Sequence, residues 1–184
     1  MNEGLIPRRY AKALLLVAQE RGLATKVYDV MKRLDASFVE LPQLSETLNN
    51  PYISLADKKN LILTAAGESG NKTGLLADFV KLIAENRRIG FIRLMALAYV
   101  DLYRQENHIY DVKVTSAAKL SDADQKRLMQ LVEKHLNGGT MEYSMQIDPS
   151  LIGGFTVSVG NEKVDASVSN ELKQLRLNLL NQNQ

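Results

Sequence analysis

The sequence predicts a mainly α fold with a small α+β part, in which an N-terminal six-helix bundle is followed by a C-terminal α+β domain. Apolar residues recur at helical spacing up to about residue 107. From Ile109 onward, short segments place an apolar side chain at every second position, as strands do. The polar run Gln105-Glu106-Asn107 marks the change, so we assign residues 1–107 to the bundle and residues 108–184 to the α+β domain.

Capping residues indicate where several helices of the first domain begin and end. The first helix is predicted from about Leu5 to Gly22, because glycine can take the left-handed conformation of a helix C-terminus. Thr25 is the expected N-cap of the second helix, and Ser54 with Asp57 that of the fourth. The third, fifth and sixth helices are expected at about 42–48, 74–88 and 90–107. In the sixth helix, one apolar stripe is formed by Phe91, Met95, Ala98 and Leu102.

Strands and helices are mixed in the second domain. One strand begins at Ile109, one runs from Met141 to Ile147, and one carries Phe155 and continues into a hairpin. Ser121 is the predicted N-cap of a helix between the first two strands, and Gly138-Gly139 is predicted to end it. A final helix follows the hairpin. Within this domain, Asp148-Pro149-Ser150 predicts a turn and Gly153-Gly154 a bend at the entry to the third strand.

Composition excludes several classes of function. The chain has 184 residues, of which 45% are hydrophobic and 24% charged, and its formal net charge is +2. This balance argues against a strong nucleic-acid footprint. The absence of cysteine excludes thiolate catalysis and thiolate metal sites, and the two histidines lie on different predicted elements. We therefore expect no cofactor, no metal and no active site.

Membrane and export signals are not evident. No apolar stretch approaches the roughly 20 residues needed to span a bilayer. The apolar run near the N-terminus is short and lacks a convincing small-residue cleavage site. The chain is therefore expected to be cytosolic, or attached to a membrane only through a partner.

Five segments in a fixed order carry a family resemblance. They are Arg9–Leu14 (RYAKAL), Asn50-Pro51, Phe79–Arg88 (FVKLIAENRR), Val114–Ala117 with Leu120-Ser121, and Ile147–Ser167. No single segment is diagnostic, but their order and spacing span nearly the whole chain. Together they resemble the δ subunit of bacterial F-type ATP synthases, the counterpart of the mitochondrial oligomycin-sensitivity-conferring protein.

This resemblance implies a non-catalytic subunit of the peripheral stalk, or stator. The N-terminal bundle would bind the N-terminal helix of an α subunit on the catalytic head, and the C-terminal domain would bind the C-terminus of the b-subunit stalk. The stalk would keep the head from turning with the rotor, so that proton flow drives ATP synthesis. The implied location is the cytoplasmic face of the bacterial inner membrane, with membrane association only through the complex.

The first helix supports a binding groove on independent grounds. From Tyr10 to Ala18 only Lys12 is polar, so nearly the whole circumference of the helix is apolar. A surface helix packed on one side should show a single apolar stripe. The helix therefore either lies at the centre of the bundle or presents a second face to a foreign helix. With the resemblance, we predict a groove between helices one and five, lined by Tyr10, Ala13, Leu14, Val17, Phe79, Leu82 and Ile83.

The C-terminal helix carries a leucine stripe for the stalk partner. Leu172, Leu175 and Leu179 face one way and are the predicted stalk-binding residues. Leu177 and Leu180 lie outside that stripe, and either contact a partner or pack on the small sheet. The alternative class, a nucleic-acid-binding α+β protein, would need a basic groove with stacking aromatics, yet the chain has no Trp and only four Phe.

Overall fold

A computed structural model describes residues 4–68, 74–136, 138–160 and 162–182. The chain divides into two compact units, Met1–Glu106 and Asn107–Gln184. The boundary expected from the sequence lies one residue further along. The mainly α architecture with a small C-terminal α+β part is confirmed.

Helices make up the described part of the first unit. They are α1 (Leu5–Glu20), α2 (Ala24–Glu40), α3 (Gln43–Asn49), α4 (Leu55–Ala65), α5 (Leu75–Glu85) and α6 (Ile92–Glu106), with a short 3₁₀ turn at Ile89–Phe91. Both α1 and α2 pack along α6, and α4 packs on α5. The predicted six-helix bundle is therefore confirmed, with α6 as its central helix.

The buried face of α6 differs from the apolar stripe seen in the sequence. Met95 is buried, but Phe91, Ala98 and Leu102 are only half-buried. The fully enclosed side chains also include Ile92, Ala96 and Tyr99. Helices cover α6 on two sides, so its buried arc is wider than a one-sided stripe and is centred away from the apolar stripe seen in the sequence.

The helix ends confirm one predicted cap and correct another. Ser54 Oγ accepts the Asp57 N–H at 3.1 Å and donates to the Asp57 carboxylate at 2.6 Å, which is the predicted cap of α4. The prediction for Thr25 was wrong. Helix α2 begins at Ala24 without a side-chain cap, and Thr25 Oγ1 lies 3.0 Å from the Tyr103 hydroxyl on α6. Thr25 therefore lies inside the first turn of α2, where its hydroxyl contacts α6 and does not cap the helix.

Three tyrosines fasten α2 to α6. The Tyr28 and Tyr103 rings stack with centroids 4.4 Å apart, and the Tyr99 and Tyr103 centroids lie 6.5 Å apart. Tyr99 Oη donates to the Ala24 carbonyl oxygen at 3.2 Å, and Arg104 Nε donates to Tyr28 Oη at 3.0 Å. Burial, with smaller contributions from Tyr103 and Glu106, raises the pKa of Tyr99 well above its usual range. The fold therefore favours the neutral form of this phenol.

The second unit contains a four-stranded sheet. Its elements are β1 (Ile109–Ser116), α7 (Asp122–His135), β2 (Thr140–Ile147), β3 (Gly154–Val159), β4 (Glu162–Ser167) and α8 (Val168–Gln182), with a 3₁₀ turn at Pro149–Leu151. The strand order is β2-β1-β3-β4. Strands β1 and β2 are parallel and joined through α7, whereas β3 is antiparallel to both β1 and β4. The predicted strands are confirmed.

Helix α7 covers one face of this sheet. Leu128 and Val132 of α7, with Leu136 directly after the helix, form a buried cluster with Val112 and Val114 of β1 and Val157 of β3. The register places Val114 opposite Val157, so alternate residues of the two strands share the buried face. The predicted N-cap is confirmed, because Ser121 Oγ accepts the Asp124 N–H at 3.2 Å.

Two glycines of the β3–β4 hairpin share a left-handed backbone but differ in the space around them. Gly154 has φ +75°, and a Cβ atom there would overlap the carbonyl oxygen of Ala166 on the neighbouring strand. Gly160 has φ +56°, and a Cβ there would meet no atom within 4 Å. Backbone strain is therefore common to both positions, and the steric clash is specific to Gly154.

The Gly154→Ala variant is expected to lower the free energy of unfolding by about 3 kcal/mol or more, because strain and backbone overlap act together. Gly160→Ala is the matched control and is expected to cost about 1 kcal/mol from strain alone. Urea unfolding of the full chain, followed by circular dichroism, measures both. Equal losses in the two variants would contradict the close approach of β3 and β4.

The raised pKa of Tyr99 predicts that the stability of the fold depends on pH in the alkaline range. Its pKa is raised in the folded state, so the stability it contributes is present below the unfolded pKa of about 10 and is lost as pH rises above it. Tyr99→Phe is expected to cost about 1 kcal/mol near neutral pH, through loss of the hydrogen bond to Ala24. It is also expected to weaken the loss of stability that begins as pH rises above about 10. Thermal unfolding across that range tests this, with Tyr52→Phe (94% exposed) as the control that should match the unmodified chain.

Candidate functional site

The described residues hold no metal-binding cluster and no helix suited to crossing a membrane. No group of three or more His, Cys, Asp or Glu side chains in this part of the chain could hold a metal ion. None of the described helices is long and apolar enough to span a bilayer. The candidate sites are therefore exposed apolar surfaces on helices α1, α5 and α8.

Tyr10 connects α1 to α5. Its ring packs edge-on against Phe79, with the centroids 6.4 Å apart and the planes at 67°. The guanidinium carbon of Arg88 lies 5.4 Å from the Tyr10 ring centroid, and Arg88 Nη1 lies 3.4 Å from Tyr10 Oη. The expected proximity of helices one and five is therefore seen at Tyr10.

The end of α5 places Arg88 against this ring. The Arg87 N–H donates to the Ala84 carbonyl at 3.0 Å, and the Arg88 N–H donates to the Ile83 carbonyl at 2.8 Å. These two bonds define a Schellman motif, which requires the left-handed conformation at Arg87 (φ +57°). The chain consequently reverses after α5 and brings Arg88 back toward α1.

The predicted groove residues divide between the surface and the interior. Ala13 and Leu82 are exposed, with Leu82 at 48%, while Tyr10 and Val17 are half-buried. The remaining three, which the sequence placed in the lining, are buried inside the unit: Leu14, Phe79 and Ile83. They belong to the inward faces of α1 and α5, so in this structure they support the surface from beneath and are not accessible to a partner.

Helix α1 is not enclosed on all sides. Its inner face, with Ala11 and Leu15, is buried, whereas Lys12, Ala13 and Leu16 are exposed. Leu16 is 50% exposed and was missed as a groove residue. Its spacing of three residues from Ala13 is the signal that could have found it, since residues so spaced lie on one helix face. Helix α1 is thus not a central helix that the bundle buries on every side.

Helix α8 leaves its leucine stripe uncovered. Every residue from 171 to 176 is exposed, including Leu172 at 53% and Leu175 at 57%. The side chains of Leu177, Leu179 and Leu180 lie outside the described part of the chain. The predicted stalk-binding stripe is therefore accessible at the two positions where it can be examined.

A carboxylate at the end of β4 fixes the start of α8. Asp165 Oδ1 accepts the Ser167 hydroxyl at 2.6 Å and the Ser167 N–H at 3.1 Å, and Ser167 Oγ accepts the Asn170 N–H at 3.2 Å. The side-chain and backbone hydrogen bonds from Ser167 lower the pKa of Asp165, with a smaller contribution from Lys163. The geometry of Asp165 is therefore that of a turn carboxylate.

These surfaces are typical of proteins that bind the helices of other proteins. A family model described as "ATP synthase delta (OSCP) subunit" matches residues 6–179. The ATP synthase subunit delta of Phocaeicola vulgatus is 37% identical over 183 residues, which cover 100% of this chain and 98% of that protein. The corresponding subunit of Prochlorococcus marinus subsp. pastoris is 36% identical over 173 residues, covering 92% and 93% of the two chains.

A solved structure shares the fold. It is a chain of the cryo-EM structure of the Toxoplasma gondii mitochondrial ATP synthase hexamer, with a TM-score of 0.72 and 21% identity over 95% of this chain and 97% of that one. The class is therefore that of structural, non-catalytic subunits of the ATP synthase. The chain belongs to the ATP synthase delta (OSCP) subunit family, which is a peripheral part of the complex. The resemblance inferred from sequence is confirmed, and the nucleic-acid-binding alternative is not favoured.

Proposed function

We propose that this chain is the stator adaptor of the ATP synthase. Its first unit binds the N-terminal helix of an α subunit, and its second unit binds the C-terminus of the b-subunit stalk. The adaptor prevents the catalytic head from turning with the rotor, so that proton flow is coupled to ATP synthesis. It works at the cytoplasmic face of the bacterial inner membrane and is held there by the complex.

The observation that carries this proposal is the presence of an exposed apolar helix surface on each unit. In the first unit, Ala13 and Leu16 of α1 and Leu82 of α5 are exposed. In the second, Leu172 and Leu175 of α8 are exposed. Apolar surfaces on helices favour contact with partner helices, because that contact removes them from water. An adaptor between two partners requires two such surfaces.

The head-side surface, which we call the α1–α5 groove, combines small and large side chains. Ala13 permits a docked backbone to approach α1, and Leu16 and Leu82 provide apolar area. Tyr10 closes one end through its contacts with Phe79 and Arg88. An amphipathic helix placed here would cover leucines that are about half exposed in the free chain.

The stalk-side surface is the described leucine stripe of α8. The hydrogen bonds around Asp165 and Ser167 fix the direction of the first turn of α8. Beyond that turn the side chains of residues 171–176 are all exposed, so the helix projects its leucines without a covering element. A second helix packed against Leu172 and Leu175 would complete a helix pair of the kind that coiled coils use.

A charged residue in the α1–α5 groove should weaken binding of the α subunit. Leu82→Asp is expected to reduce the affinity of the full chain for a synthetic peptide of the α-subunit N-terminal helix by about tenfold or more, because a carboxylate would be desolvated on docking. Isothermal titration calorimetry measures this. Leu94→Asp on α6, where the leucine is 46% exposed, is the matched control. Unchanged affinity in Leu82→Asp, with the melting temperature retained, would contradict binding of the peptide in the α1–α5 groove.

The stalk contact has its own test. Leu175→Asp is expected to lower the affinity of the full chain for the C-terminal segment of the b subunit by about tenfold or more. Gln174→Asp adds the same charge at the neighbouring exposed position and is expected to have little effect. Equal losses in the two variants would indicate a general charge effect and would contradict a specific role of the leucine stripe.

A further inference from the structure

Arg88 is a half-buried cation without an acidic partner in the described part of the chain. Its guanidinium lies over the Tyr10 ring, and Nη1 is directed at Tyr10 Oη across a long distance of 3.4 Å. The ion pairs among the described residues do not include Arg88. A guanidinium carries several N–H donors in a plane that matches a carboxylate. Among the described residues, the contacts of this guanidinium are those with Tyr10, which engage one of its five N–H donors.

The backbone that holds Arg88 in place is strained. Helices α1 and α4 end in the same Schellman motif as α5, and they place Gly22 and Gly67 at the left-handed position. Helix α5 places Arg87 there, with φ +57°. A non-glycine residue in this conformation has a conformational cost, and such strain is often found at binding sites. Here the residue after the strained position is Arg88, which contacts the Tyr10 ring on α1.

We propose that Arg88 determines which helices the α1–α5 groove accepts, by fixing the Tyr10 ring and by pairing with a carboxylate of the docked helix. This inference rests on the proposed function, since it concerns the same groove. The partner is then an amphipathic helix that carries an Asp or Glu at the edge of its apolar face, where that face passes Tyr10. A helix without such a carboxylate would bury Arg88 without an ionic partner and bind more weakly.

A structural role for Arg88 would be different. If its contact with Tyr10 only held α1 to α5, replacing Arg88 would lower the melting temperature. The affinity for every peptide would then fall by the same factor. A pairing role instead couples Arg88 to one residue of the partner. A double-mutant cycle separates the two, because it measures the interaction between two positions independently of their separate effects.

The experiment uses the full chain and a synthetic peptide of the α-subunit N-terminal helix. Each Asp or Glu of the peptide is replaced in turn by Asn or Gln, and each peptide is titrated calorimetrically against the unmodified chain and against Arg88→Met. Arg88→Met is expected to lower the affinity of the chain for the unmodified peptide by about tenfold. One amide peptide should show a similar loss, and the two changes together should cost little more than either alone.

Two further variants sharpen the interpretation. Arg87→Met removes the same charge one residue away, at an exposed side chain, and is expected to change affinity by less than about twofold. Arg88→Lys keeps the charge and is expected to recover part of the affinity, but not the planar contact with Tyr10. Melting temperatures of all variants report whether the unit remains folded.

The outcomes distinguish this inference from the proposed function. Unchanged affinity in Arg88→Met, or a loss that is equal for every peptide, overturns the role of Arg88 and leaves the groove intact. A loss in Arg87→Met as large as that in Arg88→Met overturns it as well, because the effect would then be a general one of charge. If the unmodified chain does not bind the α-subunit peptide, the proposed function fails and this inference fails with it.

Discussion

The burial of α6 between α1 and α2 is the packing contact on which the first unit depends. Side chains along α6, among them Met95, Ala96 and Tyr99, are almost completely enclosed, and the two flanking helices both lie along it. Helix α1 therefore turns Ala11 and Leu15 inward and must leave its opposite face outside. The exposed apolar residues of that face follow from the same packing. An exposed apolar surface is thus left on the side of α1 that the bundle does not use.

Local signals in the sequence were sufficient for much of the fold. Ser54 and Ser121 cap helices as predicted, because each hydroxyl bonds a backbone N–H only three residues away. The strand around Val112 and Val114 also follows from alternation alone, since one face of the sheet is covered by α7. Such features depend on neighbours in sequence, which a single chain makes visible.

Features that depend on distant neighbours were less accessible. Periodicity shows that a helix has apolar residues, but not how many sides its neighbours cover, and so the buried arc of α6 and the burial of Leu14 and Ile83 were missed. Thr25 was assigned to a helix cap because threonine is common there. Its actual partner, Tyr103, lies 78 residues away and could not be identified from the sequence. The contact between Arg88 and Tyr10 likewise joins residues 78 positions apart. Periodicity consequently could not separate the exposed residues of α1 and α5 from the buried ones.

The parallel pairing of β1 with β2 has a consequence for biogenesis. That pairing joins residues about thirty positions apart through the α7 crossover, for example Ile109 with Thr140, and must await closure of the intervening chain. Helical contacts are more local, and folding rates fall as contacts become less local. The first unit also leaves the ribosome first. We therefore expect the first unit to reach its native packing while the sheet is still assembling, so that the surface proposed for the head can form before the one proposed for the stalk.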